Sequence, residues 1–152
     1  TRLVALENFH IGMKKNVLQA GESIEAVLLP QPKAGSTFRA HKISNLFDQD
    51  ISATVCALSY EFVGGKFKNV KIAFNGLAPY PCRAPKLEAL LAENTPASVE
   101  NKALDAAITA SFPARDGLRA TWAYRSLVAR NLVMRFVEES SDLSSSLMKE
   151  TA

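Results

Sequence analysis

Few side chains in this chain have the types and spacing for chemistry, and the most suggestive lie in one stretch, RAHKISNLFDQDISA, residues 39–53. It places Lys42 just before a loop-like segment that carries Asp48 and Asp50, between two β-prone runs. Functional groups concentrate on loops held by a rigid scaffold. A lone charged loop is more often simply solvated, and Lys42 taken by itself reads as an ordinary edge-strand lysine.

Elsewhere the inventory is thin. Cys56 and Cys82 are the only cysteines, and no C-x-x-C occurs. Two isolated thiols cannot hold a metal cluster alone. Cys56 sits in an apolar strand pattern and reads as a small core residue. Cys82 lies between Pro81 and Arg83 with no catalytic partner nearby in sequence. His10 and His41 are the only histidines, and neither has a ligand-type neighbour four residues on. There is no G-x-G-x-x-G or Walker loop, and the one glycine pair, Gly64-Gly65, suits a hairpin. The dense set of acids, bases and nucleophiles expected of a self-contained active site is missing.

Lys66, Lys68, Lys71, Arg83 and Lys86 form a basic stretch with no acid among them. It could meet phosphates, but no aromatic residues interleave as in single-strand binders. A solvated strand and turn that resist edge pairing is the favoured reading, so no nucleic-acid partner is expected.

These groups need elements to hold them. At 152 residues, with 47% apolar and 22% charged residues and a net charge of +3, the chain suits one ordinary globular domain. No run of about eighteen apolar residues could span a membrane, and no signal peptide is visible. The first residue is Thr, which suggests a cut or processed start. A reduced, cytoplasmic setting is the simplest expectation.

Residues 2–7 and 23–30 read as short strands, with a surface link between them. A strand over 37–42 follows, then long β-prone runs at 51–62 and 67–75 joined by Val63-Gly64-Gly65-Lys66. Cys56, Leu58, Tyr60 and Phe62 share one face, as do Val70, Ile72 and Phe74. The texture then turns helical: 83–93 with Pro85 in its first turn, 99–111 with Ser98 as N-cap, and about 119–138. In the third helix Ala120, Ala123, Tyr124, Leu127, Leu132 and Met134 suggest the apolar stripe, interrupted by Asn131. The Ser-rich tail from 141 onward is expected to fray. Strands followed by helices predict an α+β fold: an antiparallel sheet of three or four strands with three helices packed on one face as a two-layer sandwich.

Several segments, taken in order, resemble the C-terminal part of the FAD-binding subunit of the xanthine dehydrogenase and molybdenum hydroxylase family, a domain of the CO dehydrogenase flavoprotein C-terminal type. His41-Lys42-Ile43-Ser44, Asp48-Gln49-Asp50 and Asp50-Ile51-Ser52-Ala53 resemble its lysine-bearing strand, acidic loop and following strand start. Ile72 to Ala78 (IAFNGLA) is similar to its I-A-x-G-G-M-A strand end, with Asn75 and Leu77 as departures. Pro81-Cys82-Arg83-Ala84 resembles P-x-R-A at a helix start. Asp116, Arg119, Ala120, Ala123, Tyr124, Arg125 and Leu127 resemble its third helix, with one extra residue after Asp116. Phe9 to Lys15 and Leu18-x-x-Gly21-Glu22 resemble the last segment of the preceding flavin-binding domain.

The resemblance implies that 1–34 end a flavin-binding lobe, that 35–140 form the C-terminal α+β domain, and that 141–152 are a polar tail. It implies a backbone contact from Ile24 to the flavin, a flavin contact from Lys42, and an acidic loop, Asp48 to Asp50, near the flavin edge. It also implies a larger oxidoreductase in which electrons pass from a molybdenum cofactor through 2Fe-2S clusters to FAD and then to NAD. The molybdenum-binding large subunit and an iron–sulfur domain would be its partners. Purines are one substrate class of such enzymes, and substrate choice lies in the molybdenum subunit. The pyrophosphate-cradling glycine loop and cluster cysteines are absent, so this chain would be one wall of the flavin site and not a complete enzyme. The alternative is a non-catalytic interaction or dimerisation module of the same α+β shape.

Overall fold

The computed structural model describes residues 1–44, 51–117 and 120–150, with side chains up to Ser140. The elements are β1 (His10–Gly12), β2 (Lys15–Asn16), β3 (Ser36–Ile43), β4 (Thr54–Val63), β5 (Lys66–Asn75), β6 (Cys82–Arg83), α1 (Pro85–Glu93), α2 (Asn101–Ser111) and α3 (Trp122–Glu150). Strands β3-β4-β5-β6 form one antiparallel four-stranded sheet, and β1-β2 form a separate small hairpin. The α+β expectation holds: three helices follow the sheet and share its core.

The β4–β5 hairpin forms where the glycine pair predicts. Gly64 and Gly65 have φ of 59° and 75°, the positive values a tight hairpin turn demands. Asn69, at φ 52°, supplies a second local twist, where the register shifts between Ser59 and Glu61. Along β4 burial alternates strictly from Thr54 to Tyr60. Cys56, Leu58, Tyr60, Phe67, Ile72 and Phe74 point into the core with Leu87 and Leu91 of α1, Leu104 and Ile108 of α2, and Val133 and Phe136 of α3. Tyr60 and Phe62 each meet Phe67 edge-on, at 5.3 and 5.5 Å, a geometry the ring quadrupoles favour.

Polar groups lock the layers together. The Tyr60 hydroxyl lies 2.6 Å from that of Ser140, which donates to the Phe136 carbonyl at 2.6 Å. This ties β4 to α3 across the core with both buried hydroxyls satisfied. Glu88 takes over where the two-residue β6 ends. One carboxylate oxygen accepts the Ile72 N–H at 2.9 Å and the Arg83 Nε–H at 2.5 Å, and the other accepts Arg83 at 2.7 Å. The carboxylate holds Arg83 above the usual guanidinium range. Glu88→Gln should lower stability by about 1–2 kcal/mol, since a charge-assisted fork becomes a neutral contact beside a partly solvated arginine. An unchanged urea midpoint would rule out this edge clamp.

Several boundaries differ from the sequence expectation. Residues 2–7 and 23–30 are not strands: the first ends in a 3-10 turn over Leu6–Asn8, and the second carries no regular secondary structure. An isolated apolar run has no ladder to join. The link between them folds into the β1-β2 hairpin. Ser98 does not cap α2. It closes a 3-10 turn over Pro96–Ser98 with Thr95, and Glu100 occupies the N-cap position of α2. Helix α3 continues to Glu150 where a fraying tail was expected. Its buried stripe is Ala129, Leu132, Val133, Phe136, Val137 and Ser140, whereas Tyr124 and Leu127 are each 44% exposed. The expected stripe was out of phase: Trp122 and Val128 pack against the core and Ala129, Val133 and Phe136 lie in it, on a face turned from that of Tyr124 and Leu127.

Cys56 is a core residue, as expected, and burial pushes its thiol up to about 12. Cys82 is half-buried, its S–H donates to the Tyr80 carbonyl, and burial raises it too. Ellman's reagent at pH 8 should therefore modify a single thiol slowly in the native protein and both in denaturant. Two fast native equivalents would contradict this core.

Candidate functional site

The helices cover one sheet face only. The other is read from the register. Lys42 pairs with Val55, and Val55 with Asn75, so these three form a row across β3, β4 and β5. Directly opposed residues share a face. The next row is Ala40, Ala57 and Ala73, with Arg83 beyond it. Three methyl side chains in line make a flat floor that a planar group can approach closely. Phe38 stands 63% exposed beside it.

At the Asn75 end of the sheet, between the strand end and the start of α3, is an open cavity of about 670 Å³, within the range of small-molecule sites. Met13, Ile51, Leu77 and Pro79 give it apolar walls, and Ser52, Asn75, Asp116, Arg115 and Arg125 give it polar ones. The backbone around it is pinned. Gly76 has φ +95°, and a Cβ there would lie 2.2 Å from the Ala53 carbonyl oxygen, so β4 and β5 touch main chain to main chain. Arg125 donates to the Gly76 and Arg115 carbonyls, joining the strand end to the loop before α3. Asp116 accepts the Trp122 N–H at 2.7 Å and caps the start of α3. Arg125 Nε, Ser44 Oγ, Thr54 Oγ1 and His41 Nε2 are buried without a hydrogen-bond partner. Arg125 lines the cavity, and Thr54 touches Gly76 at its wall.

Of the expected site residues, Lys42 projects from β3 on the open face. No carboxylate pairs with it among the described residues. Ile24 lies in the unpaired segment 23–30 and is 57% exposed. Asp48 and Asp50 lie outside the described residues. Sequence reasoning missed Asn75 and Arg125. Asn75 registered only as a departure from a glycine motif, and Arg125 only as one of the residues resembling the third helix. Neither pattern reveals which carbonyls or cavity a side chain will meet. Among the described residues no group of histidine, cysteine or acidic side chains could hold a metal ion. No helix among the described residues is long and apolar enough to cross a membrane.

An antiparallel sheet backed by three helices on one face, with Lys42 on the open face and a cavity between a strand end and the start of α3, defines a class: a two-layer α+β domain. Residues 17–140 match the CO dehydrogenase flavoprotein C-terminal domain, and the chain belongs to that family. It is 29% identical over 142 residues to the carbon monoxide dehydrogenase medium chain of Afipia carboxidovorans, covering 91% of this chain and 48% of that one. It is 26% identical over 141 residues to a xanthine dehydrogenase FAD-binding subunit of Escherichia coli O157:H7, covering 91% and 48%. The chain thus spans about half the length of the curated relatives it matches. The fold is similar to that of a reconstituted CO dehydrogenase from Oligotropha carboxidovorans, with TM-score 0.76, 22% identity, and 88% of this chain and 46% of that one covered. It is also similar to quinoline 2-oxidoreductase from Pseudomonas putida 86, with TM-score 0.70, 18% identity, and 93% and 48% covered.

Proposed function

We propose that this chain forms one wall of the FAD site in the flavin-binding subunit of a xanthine-dehydrogenase-like molybdenum hydroxylase. The observation that carries the reading is the Lys42 row: a cation without an ion-pair partner among the described residues, at the edge of a flat, helix-free sheet face. Such a surface fits a planar, electron-rich ring. The chain lacks the glycine loop that would hold a pyrophosphate, so the rest of the site lies in the other half of a subunit of the relatives' length. Residues 1–34 belong to the preceding lobe in this reading. Leu3, Leu6, Val27, Leu28 and Leu29, each more than two-thirds exposed, then find their cover there.

FAD, when bound, supplies the acceptance of electrons from the molybdenum and 2Fe-2S centres of partner subunits and their delivery to NAD. Within this chain Lys42 places a positive charge beside the ring, which favours its anionic reduced form. The Ile24 backbone contributes a second contact. Asp48 and Asp50 set the local field at the ring edge and govern access to it. A cytoplasmic enzyme of purine oxidation fits this assignment.

In the complete subunit, Lys42→Met should make the flavin potential more negative by about 30 mV or more, equivalent to about 1.4 kcal/mol for a two-electron couple. The isolated chain should fold but fail to bind FAD tightly. A variant whose potential and FAD content both match the wild type would refute the assignment of Lys42. Tight stoichiometric binding by the isolated chain would refute the one-wall reading, and a complete subunit without FAD would favour a non-catalytic interaction module.

A further inference from the structure

We infer that Lys66, Lys68 and Lys71 form a basic strip, at the hairpin end of the open sheet face, that docks a carboxylate-rich protein surface of a partner subunit. Ser59 pairs with Lys71, Glu61 with Lys68 and Val63 with Lys66. Strict alternation from Lys71 would send Lys68 and Lys66 to the helix-covered face. Asn69, at φ 52°, takes up one extra residue where the register shifts between Ser59 and Glu61. That bulge resets the phase of the strand. Phe67 and Val70 both turn into the core, and all three lysines leave on the helix-free side.

The three cations are exposed, and none forms an ion pair among the described residues. Glu61 is the one acid in these rows, so positive charge is in excess. Phe38 completes the Lys71 row through Ser59 and stands exposed. Lysines alone can serve to keep a bare strand edge from pairing, but an edge guard has no use for an exposed aromatic ring on the far strand. An aromatic anchor with a charged rim is the make-up of a protein docking surface, and the cations select a partner that bears carboxylates. A nucleic acid fits less well, because one ring gives no ladder for stacked bases and Glu61 would face the phosphates. Glu61 lies six residues along β4 from Val55, about 20 Å, so a partner can seat at this end while the Lys42 end holds its ligand. The choice of partner subunit rests on the reading above, whereas the strip itself does not.

The experiment uses the complete flavin subunit, as wild type and as the combined variant Lys66→Glu, Lys68→Glu and Lys71→Glu. The probe is the subcomplex of the molybdenum and iron–sulfur partner subunits, and association is measured by calorimetry over a series of salt concentrations. At about 0.1 M ionic strength, where charges act over about 10 Å, the reversal should raise the dissociation constant by about tenfold or more. The two constants should converge at high salt, while Tm and FAD content stay at the wild-type values. Equal constants at every ionic strength overturn the strip alone, and so does a loss that salt leaves unchanged, since that loss would be one of shape and not of charge. Salt-dependent binding of the wild type to duplex DNA, with the subcomplex held equally by both proteins, overturns the protein partner. A wild-type subunit that holds FAD but does not bind the subcomplex overturns this choice of partner and leaves the flavin wall standing. One that binds the subcomplex with the expected salt dependence but holds no FAD overturns the flavin reading and supports the strip.

Discussion

Gly76→Ala should lower the stability of the domain by about 4 kcal/mol, a fall of roughly 8–16 °C in Tm for a chain of this size. Two costs combine. At φ +95° an L-residue with a Cβ is strained by about 1–3 kcal/mol. The added carbon would also sit 2.2 Å from the Ala53 carbonyl oxygen and 3.3 Å from Thr54 Cα. Those atoms are main chain in a paired strand, so relief requires β4 and β5 to part at the cavity. Gly64→Ala is the control: its φ of 59° is also positive, but nothing lies within 4 Å of the new Cβ. It should cost only about 1–2 kcal/mol, the conformational part alone. Equal losses at the two positions would show that the close approach of Ala53 and Gly76 does not exist in solution. In the complete subunit the same substitution should weaken FAD retention, since the strand ends that carry Asn75 and Thr54, beside Val55 of the Lys42 row, are those that move.

Phe74→Ala should cost about 3–5 kcal/mol, the usual range for emptying a buried aromatic site. Phe74 is 1% exposed and meets Phe112 edge-on at 5.9 Å, joining β5 to the end of α2. Its cross-strand neighbours Cys56 and Cys82 are too small to fill the void. Phe38→Ala on the opposite face removes the same atoms from a residue that is 63% exposed, and should stay within about 0.5 kcal/mol. Urea unfolding of both variants, with slopes held constant, tests whether the sheet is covered on one side only. Similar costs for the two would mean that the Phe38 face is also packed, and that the candidate flavin wall is not free to receive a ligand.

The long β-runs and the glycine turn were legible because their signals are local. Alternation of Cys56, Leu58 and Tyr60 specifies a face, and Gly64-Gly65 specifies the turn between the partners. The two short runs at 2–7 and 23–30 misled for the converse reason. Their composition is strand-like, but a strand exists only with a neighbour, and these segments have none within the described chain. The phase of α3 was misjudged because Tyr124 and Leu127 are apolar yet lie on the exposed face, while Trp122, Ala129, Val133 and Phe136 face the core. Periodicity offers more than one stripe on such a helix, and only its packing on β4 and α2 decides which is buried.

The candidate site divides in the same way. Lys42 was singled out from its place before an acidic loop and from an ordered series of family-like segments, and the matched family covers residues 17–140. By itself the sequence determined the antiparallel sheet, the helical layer and the family, because these follow from local periodicity and from an ordered series of family-like segments. Only the tertiary structure decided that Asn75 stands in register with Lys42, that Arg125 grips the Gly76 carbonyl, and that a cavity opens between a strand end and the start of α3. Those facts depend on strand register and on contacts between residues up to 49 positions apart, and no local pattern encodes either.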